Sequence, residues 1–273
     1  MHRPLIMIAP NGARKTKSDL AQIPLSPEEL AREASLSAAA GASIIHLHVR
    51  SENEGHTLDV ETYKKAIAAI KAKVGDKIII QATTEACDIY KPEEQIEMVR
   101  ALMPEAVSCA IRELVPTPAH EDSAKKFFWW LAENKIWPQY IIYSPAELEY
   151  FADLKKRGII PSAHDFVLFV LGKKQRVATA DNYAQPQDLL PFVETLKKTG
   201  LKLLWAVCAF GGNENACMQE AFKHGGNARV GFENNHLDEN NEVVESNADL
   251  VAQLVKTSGA KPLTAAEVRK LIR

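Results

Sequence analysis

No hydrophobic run in this sequence approaches the roughly 20 consecutive apolar residues that a membrane span requires. The apolar stretch Leu5–Pro10 that follows Met1-His2-Arg3-Pro4 is too short for a signal-peptide core. A cytoplasmic location and no membrane partner are therefore expected. Charge of one sign is missing as well: 33 basic residues stand against 35 acidic ones, a formal net charge of −2. Nothing in that balance announces nucleic acid or an anionic surface, so the expected partners are small molecules. Cysteine is scarce, and Cys87, Cys109, Cys208 and Cys217 form no C-x-x-C pair, which leaves a zinc ribbon or thioredoxin-like motif without support. Cys87, Cys109 and Cys208 lie in or beside apolar runs and read as small buried thiols. There is no dinucleotide fingerprint, so neither NAD nor flavin is expected. No linker rich in Pro, Gly or Ser divides the chain, and residues 1–273 read as a single domain. A content of 46% hydrophobic and 25% charged residues is that of an ordinary folded domain and excludes a disordered or fibrous chain.

What the sequence does contain is alternation. Short apolar runs rich in β-branched residues recur at Leu5–Pro10, Ser43–Val49, Lys77–Thr84, Ala106–Ile111, Tyr140–Ser144, Phe166–Gly172, Leu203–Phe210 and Ala228–Phe232. Most lack polar alternation, as strands buried on both faces of a parallel sheet do. Helix-like stretches lie between them, at roughly 59–73, 93–103, 122–135, 145–157, 187–199 and 213–224. Ser26-Pro27-Glu28-Glu29 and Thr264-Ala265-Ala266-Glu267 are capping-box starts, and Ser246 opens a further helix. A strand count of eight, each followed by a helix, is that of a (β/α)8 TIM barrel. A doubly wound open sheet is the alternative that periodicity alone does not separate.

In a barrel, reactive groups gather at the C-terminal ends of strands. The expected strand ends here carry Asn11-Gly12-Ala13-Arg14, His46 and His48 with Arg50, Gln81-Ala82-Thr83-Thr84-Glu85, Arg112-Glu113, Gly172-Lys173-Lys174, Gly211-Gly212-Asn213 and Glu233-Asn234-Asn235. His46-Leu47-His48 is the most informative of these. Residues i and i+2 of a strand share a face, so both imidazoles can enter one cavity and serve a Zn²⁺ ion; buried hydrogen bonding is the plainer alternative. Glu233, at the end of the last strand and thus near the first in a closed barrel, is the best third ligand, and His236 is a minor competitor. His2, His56, His120 and His164 lie in the terminus or in polar loops, and His224 ends a helix whose dipole would favour an imidazolium.

Asn11-Gly12-Ala13, Ile44-Ile45-His46-Leu47-His48-Val49-Arg50, Phe169-Val170-Leu171-Gly172 and Arg229-Val230-Gly231-Phe232-Glu233 together resemble the β-keto acid cleavage enzymes. Pro24-Leu25-Ser26-Pro27-Glu28-Glu29 and Glu245-Ser246-Asn247-Ala248 extend that resemblance over nearly the whole chain. It implies a (β/α)8 barrel holding Zn²⁺ on His46, His48 and Glu233. It also implies acetyl-CoA as co-substrate, acetoacetate and a new acyl-CoA as products, and a homo-oligomer, often a tetramer. Arg229 resembles the family arginine beside the metal. Thr83 and Ser108 match hydroxyl positions of the substrate pocket, and Asn11 and Asn234 complete the expected substrate-binding set.

Departures from the family pattern are as informative. Where members often read Glu-Asp-Asn, this chain reads Glu233-Asn234-Asn235, and an asparagine is no base at neutral pH. A family pocket glutamate corresponds to Ile141. Glu85 and Glu113, both at strand ends, are the candidate catalytic replacements. Position 14 is acidic and faces the substrate amine in aminohexanoate-cleaving members; Arg14 here reverses that charge and favours an anionic or polar β-keto acid, with a salt bridge to Glu85 or Glu113 as the plainer alternative. Lys173, with Lys174 and Arg176, and the turn Gly211-Gly212 are the expected CoA rim, offering charge and exposed N–H groups. Two rival readings stay open: a barrel metal hydrolase, and a paralogue that binds an acyl-CoA or keto acid without turning it over.

Overall fold

The computed structural model describes residues 3–163, 165–172 and 183–272. Eight parallel strands close into a barrel: β1 (Ile6–Ile8), β2 (Ile44–Leu47), β3 (Ile79–Thr83), β4 (Ala106–Ala110), β5 (Trp137–Ile142), β6 (Phe166–Leu171), β7 (Leu204–Ala209) and β8 (Asn227–Val230). The doubly wound alternative is thereby set aside. β1 sits between β2 and β8, with Ile8 opposite Ile45 of β2 and Val230 of β8. Surrounding helices include α1 (Pro27–Ala40), α2 (Val60–Val74), α3 (Pro92–Leu102), the single turn α4 (Ile111–Leu114), α5 (Glu121–Glu133), α6 (Pro145–Lys156), α7 (Leu190–Thr199), α8 (Glu214–Lys223), α9 (Asn247–Ser258) and α10 (Ala265–Leu271).

Local chemistry accounts for the helix starts. Ser26 accepts from the Glu29 N–H at 3.2 Å while the Glu29 carboxylate accepts from Ser26 N–H at 3.0 Å, and Pro27 takes the first helical position. Thr264 and Glu267 repeat the arrangement at α10. No described helix is long and apolar enough to cross a membrane.

Several element ends differ from expectation, each for a physical reason. The fifth strand starts at Trp137 rather than Tyr140, because the Trp137 ring stacks on Phe166 of β6 with centroids 4.5 Å apart. It stops at Ile142 because Ser144 caps α6, accepting from Glu147 N–H at 3.2 Å. Barrel pairing of the second strand ends at Leu47; Val49–Arg50 leaves the barrel to pair antiparallel with His56–Thr57. Cys109 and Cys208 are buried as expected, but Cys87 is half-buried, in a loop where it and Asp88 both hold positive φ.

Side chains alternate between two apolar layers. Ile6, Ile8, Ile45, Leu47 and Phe169 face the helices, whereas Leu5, Met7, Ile44, Ile79, Phe166, Leu168 and Ala206 fill the lumen. Leu263, Ala265 and Val268 join the luminal cluster, so α10 closes the N-terminal mouth. Arg269 fastens that plug to Glu105 and to the carbonyls of Asp76 and Ile78. Only the C-terminal end is left for the polar groups of the strand termini.

Phe169 is fully buried between Phe192 of α7 and Trp205 of β7, with ring centroids at 4.9 and 5.5 Å. Phe169→Ala is expected to lower the unfolding free energy by about 3–5 kcal/mol, read from denaturant melts, by leaving a cavity between sheet and helix layer.

Candidate active site

At the C-terminal mouth, residues far apart in the chain meet. Both imidazoles of the second strand point inward: His46 Nε2 and His48 Nε2 are 3.1 Å apart. Glu233 Oε2 lies 3.7 Å from His46 Nε2 and 3.5 Å from His48 Nε2. One potential ligand atom from each of the three falls within 4.8 Å of the others. Two nitrogens on one tetrahedral Zn²⁺, each at about 2.0–2.1 Å, stand ~3.3 Å apart, so the observed spacing suits an ion of that size. Glu233 Oε2 is buried and has no hydrogen-bond partner among the described residues, as an atom kept for a ligand would be.

The backbone holds the carboxylate in place. Gly12 adopts a positive φ, and a Cβ there would come within 2.6 Å of Glu233 Cγ; glycine is required on both counts. Glu233 N–H donates to the Ala9 carbonyl at 3.1 Å, and Phe232 N–H donates to Asn247 Oδ1 at 2.8 Å. Asn247 is itself held by the buried Glu33 carboxylate of α1. Lys15 Nζ donates to the Phe232 carbonyl, and Arg50 ties the β1 loop down through the carbonyls of Gly12 and Lys15. Asn11 Nδ2 donates to the His48 carbonyl at 3.2 Å, so the structure places Asn11 behind the histidine.

Arg229 is the electrostatic centre. Its Nη2 donates to Glu233 Oε1 at 3.0 Å, Cys208 Sγ at 3.3 Å and Asn234 Oδ1 at 3.4 Å. Its Nε and Nη1, both buried, have no hydrogen-bond partner among the described residues. Burial opposes the guanidinium charge, but Cys208 and Glu233 beside it keep it protonated and raise its pKa. Burial would likewise raise the Glu233 pKa, yet Arg229, with His48 and His46, holds it well below the usual carboxylate range. Burial and then Arg229 push His46 down to about 3, so it is neutral at pH 7 with a ring lone pair to offer.

A small cavity of about 20 Å³ opens beside these groups. His46, Arg229 and Glu233 form one wall, and Thr83, Thr84, Ser108, Glu85 and Glu113 form a polar one. Ile141, Val170, Phe210, Tyr143 and Ala110 supply apolar surface. Ser108 Oγ donates to Thr83 Oγ1 at 3.4 Å, and Thr83 Oγ1 also accepts from Glu85 N–H at 3.0 Å. Glu85 Oε2 stands 3.9 Å from His48 Nε2. Glu113 Oε2 accepts from Ala86 N–H and Gln95 Nε2, and burial raises its pKa.

The remaining expected residues are spread around this centre. Arg14 is exposed, outside the cavity lining, with no hydrogen bond or ion pair among the described residues; neither Glu85 nor Glu113 occupies it. Asn234 is buried, and its Nδ2 has no partner among the described residues. Gly211 N–H donates to the Asn234 carbonyl at 3.1 Å, so it is not the exposed N–H expected for a CoA rim; the ring of Tyr183 packs on the same glycine. Gly212 lies beside Asn241 and Leu237. Lys173, Lys174 and Arg176 fall outside the described residues, as do His2 and His164.

Sequence reading overlooked Tyr143, whose ring carries the Arg112 guanidinium 3.3 Å from its centroid. It also overlooked Gln139, fully buried on β5, and the role of Gln81, which bonds His46 Nδ1 at 2.8 Å. A polar residue inside an apolar run is the available signal for Gln81; Gln139 precedes the run that starts at Tyr140 and offers none. Lys15 and Glu214 were missed too; burial pushes the Glu214 carboxyl well above its ordinary range, where it accepts from Gly231 N–H.

Comparison with known proteins follows the same geometry. The sequence profile of the family described as beta-keto acid cleavage enzyme matches residues 4–273. A 3-keto-5-aminohexanoate cleavage enzyme of Fusobacterium nucleatum is 30% identical over 282 residues, covering 100% of this chain and 98% of that protein. A 3-oxoadipate:acetyl-CoA acetyltransferase of Cupriavidus necator is 25% identical over 278 residues, covering 98% of this chain and 94% of that one. Among solved structures, apo ObcA superposes with a TM-score of 0.71 at 15% identity over 92% of this chain, which spans 65% of that longer one. That likeness concerns the fold.

The lowered His46 pKa has a consequence for stability. Between the ordinary 6.5 and about 3, the unfolded chain takes up a proton that folded His46 resists. Stability of metal-stripped protein is therefore expected to fall as pH drops through that window. His46→Gln, which has no such group, is expected to flatten the decline in denaturant midpoint; parallel curves for the two proteins would reject this account.

Proposed function

The chain belongs to the β-keto acid cleavage enzyme family, and from that premise we propose that it exchanges acyl groups between an anionic β-keto acid and acetyl-CoA at a Zn²⁺ site on His46, His48 and Glu233. The observation that carries this reading is the convergence of those three groups beside an arginine with two unpartnered donor nitrogens. In the overall reaction the bond between the keto carbon and the methylene of the β-keto acid breaks. The acetyl carbon forms the new bond to that methylene, giving acetoacetate, and the displaced acyl group leaves on CoA sulfur. Zn²⁺ would supply Lewis acidity, drawing electron density from the two oxygens of a 1,3-keto acid.

The protein's own groups do the rest. Arg229 Nε and Nη1 receive the substrate carboxylate, a charge-assisted contact that orients the methylene in the cavity. Asn234 Nδ2 is a second unpartnered donor, suited to an oxygen on which charge develops. Asn234 cannot accept a proton, so proton transfer at the methylene falls to Glu113 or Glu85. Burial raises the pKa of Glu113, which suits a group that takes up a proton. Thr83 and Ser108 present hydroxyls to the bound acid, and the wall at Ile141, Val170 and Phe210 keeps water from the reacting carbons. No protein nucleophile is called for: Cys208 is buried against Arg229, and burial raises the pKa of the Cys109 thiol. CoA would enter by the side of Gly212. Assembly as a homotetramer belongs to the same reading and rests on the family resemblance.

Specificity is assigned to Arg14. Its guanidinium is exposed and unengaged by described residues, two positions from the glycine that abuts Glu233. A carboxylate tail would find a bidentate partner there, whereas an ammonium tail would be repelled. The 3-oxoadipate enzyme among the relatives takes its name from such a diacid.

Two outcomes are expected. Purified protein supplied with a panel of β-keto acids should release acetoacetate only when acetyl-CoA is present, lose that activity on chelation and regain it with Zn²⁺. Acetyl-CoA-independent hydrolysis, or no turnover of any β-keto acid, would refute the assignment. Second, β-keto diacids should be turned over faster than amino-keto acids. Arg14→Glu should raise KM for the diacid 10- to 100-fold, the equivalent of about 1.5–3 kcal/mol, while leaving uncharged substrates nearly unaffected.

A further inference from the structure

We propose that Gln81, Gln139 and Met7 form a relay across the barrel lumen that fixes His46 as its Nδ1–H tautomer and so keeps the Nε2 lone pair facing Glu233. The four residues come from four strands, β1, β2, β3 and β5, and none is more than 1% exposed. His46 Nδ1 lies 2.8 Å from Gln81 Oε1, Gln81 Nε2 lies 3.2 Å from Gln139 Oε1, and Gln139 Nε2 lies 3.4 Å from Met7 Sδ.

Direction in this chain is set from its far end. A thioether sulfur carries no hydrogen and can only accept, so the Gln139 amide nitrogen turns toward Met7 and its oxygen toward Gln81. That oxygen requires the Gln81 nitrogen, which leaves Gln81 Oε1 for His46. An amide oxygen opposite a ring nitrogen requires the nitrogen to donate, so the His46 proton sits on Nδ1. Flipping one glutamine alone would set donor against donor or acceptor against acceptor in a dry interior. Flipping both would satisfy Gln81 and Gln139 but leave Met7 facing an oxygen and move the imidazole proton to Nε2. Met7 therefore decides the tautomer of a group two residues away around the relay. His48 has no comparable support: its Nδ1 is buried without a hydrogen-bond partner among the described residues. The two histidines are thus unequal, one pre-set as a lone-pair donor and the other obliged to shift its proton when a cation enters. Gln81, Gln139 and Met7 are positioning residues, acting on any ligand only through His46.

The role as ligand support rests on the metal reading above, but the tautomer does not, and the experiment separates them. The full chain, labelled with ¹⁵N-histidine and stripped of metal, is examined by ring-nitrogen NMR, and Zn²⁺ affinity is measured by competition with a chromophoric chelator. Wild-type His46 should show the Nδ1–H tautomer. Gln81→Leu should lose that preference and weaken Zn²⁺ binding roughly 10- to 100-fold, while Gln81→Glu, which keeps an acceptor opposite Nδ1 and obliges Gln139 to turn its amide nitrogen toward it, should restore both. Met7→Leu, a swap of similar volume, should mix the tautomers with the fold intact, and it carries the test if Gln81→Leu does not fold. An Nε2–H tautomer in wild-type protein, or a Met7→Leu protein with His46 unchanged, would overturn the relay. Failure of wild-type protein to bind Zn²⁺ at all would instead overturn the metal reading, with the tautomer still deciding the relay.

Discussion

The site depends on barrel closure by β1, a strand of three residues. Ile8 stands opposite Ile45 on one side and Val230 on the other, so one short strand sets the relative height of segments nearly the whole chain apart. Ladder hydrogen bonds continue the pairing past the strand ends: Ala9 N–H donates to the Val230 carbonyl at 2.8 Å, and Glu233 N–H donates to the Ala9 carbonyl at 3.1 Å. His46 lies one residue beyond Ile45 and Glu233 three beyond Val230, which places imidazole and carboxylate at one level of the mouth. A slip of one residue of β2 against β1 would turn His46 and His48 outward together, because side-chain direction alternates along a strand.

Around that alignment the protein buries charge that it does not fully satisfy. Arg229, Glu233 and the two imidazoles occupy a nearly dry space where an unpaired ion is costly, and the Arg229–Glu233 pair meets only part of that cost. Donor atoms of Arg229 and Asn234 and an acceptor atom of Glu233 are left without partners among the described residues. Such a pattern is expensive in a core and useful in a binding site, since a ligand carrying a carboxylate and a ketone offers the missing complements. The supporting framework is correspondingly extensive. Gly12 makes room for Glu233, Asn247 and Glu33 hold the backbone behind it, and Arg50 secures the loop that brings Gly12 there.

Much of this was legible in the linear sequence. Strand and helix alternation follows from burial on two faces against burial on one, and the capping residues Ser26 and Thr264 mark helix starts through local hydrogen bonds. His46 and His48 share a face by strand period alone. Element ends were less legible where a tertiary contact prevails over local pattern, as when stacking of Trp137 on Phe166 draws Pro138 into a strand. Cys87 shows the same limit, since proximity to an apolar run does not reveal a loop with positive φ.

Along the chain, periodicity and capping mark eight alternating strands and helices, and strand-end position singles out His46, His48 and Glu233, because these are local properties; the choice of barrel over open sheet and the place of Arg229 rest on the family resemblance. Strand closure alone shows that the Gly211 N–H is engaged, that Arg14 stands free of Glu85 and Glu113, and that Gln139 and Met7 continue across the lumen the hydrogen bonding that Gln81 makes to His46. Those facts depend on which atoms meet when distant strands close into a ring. Hydrogen-bond partnership in a buried space is a property of that closure, and no spacing along the chain encodes it.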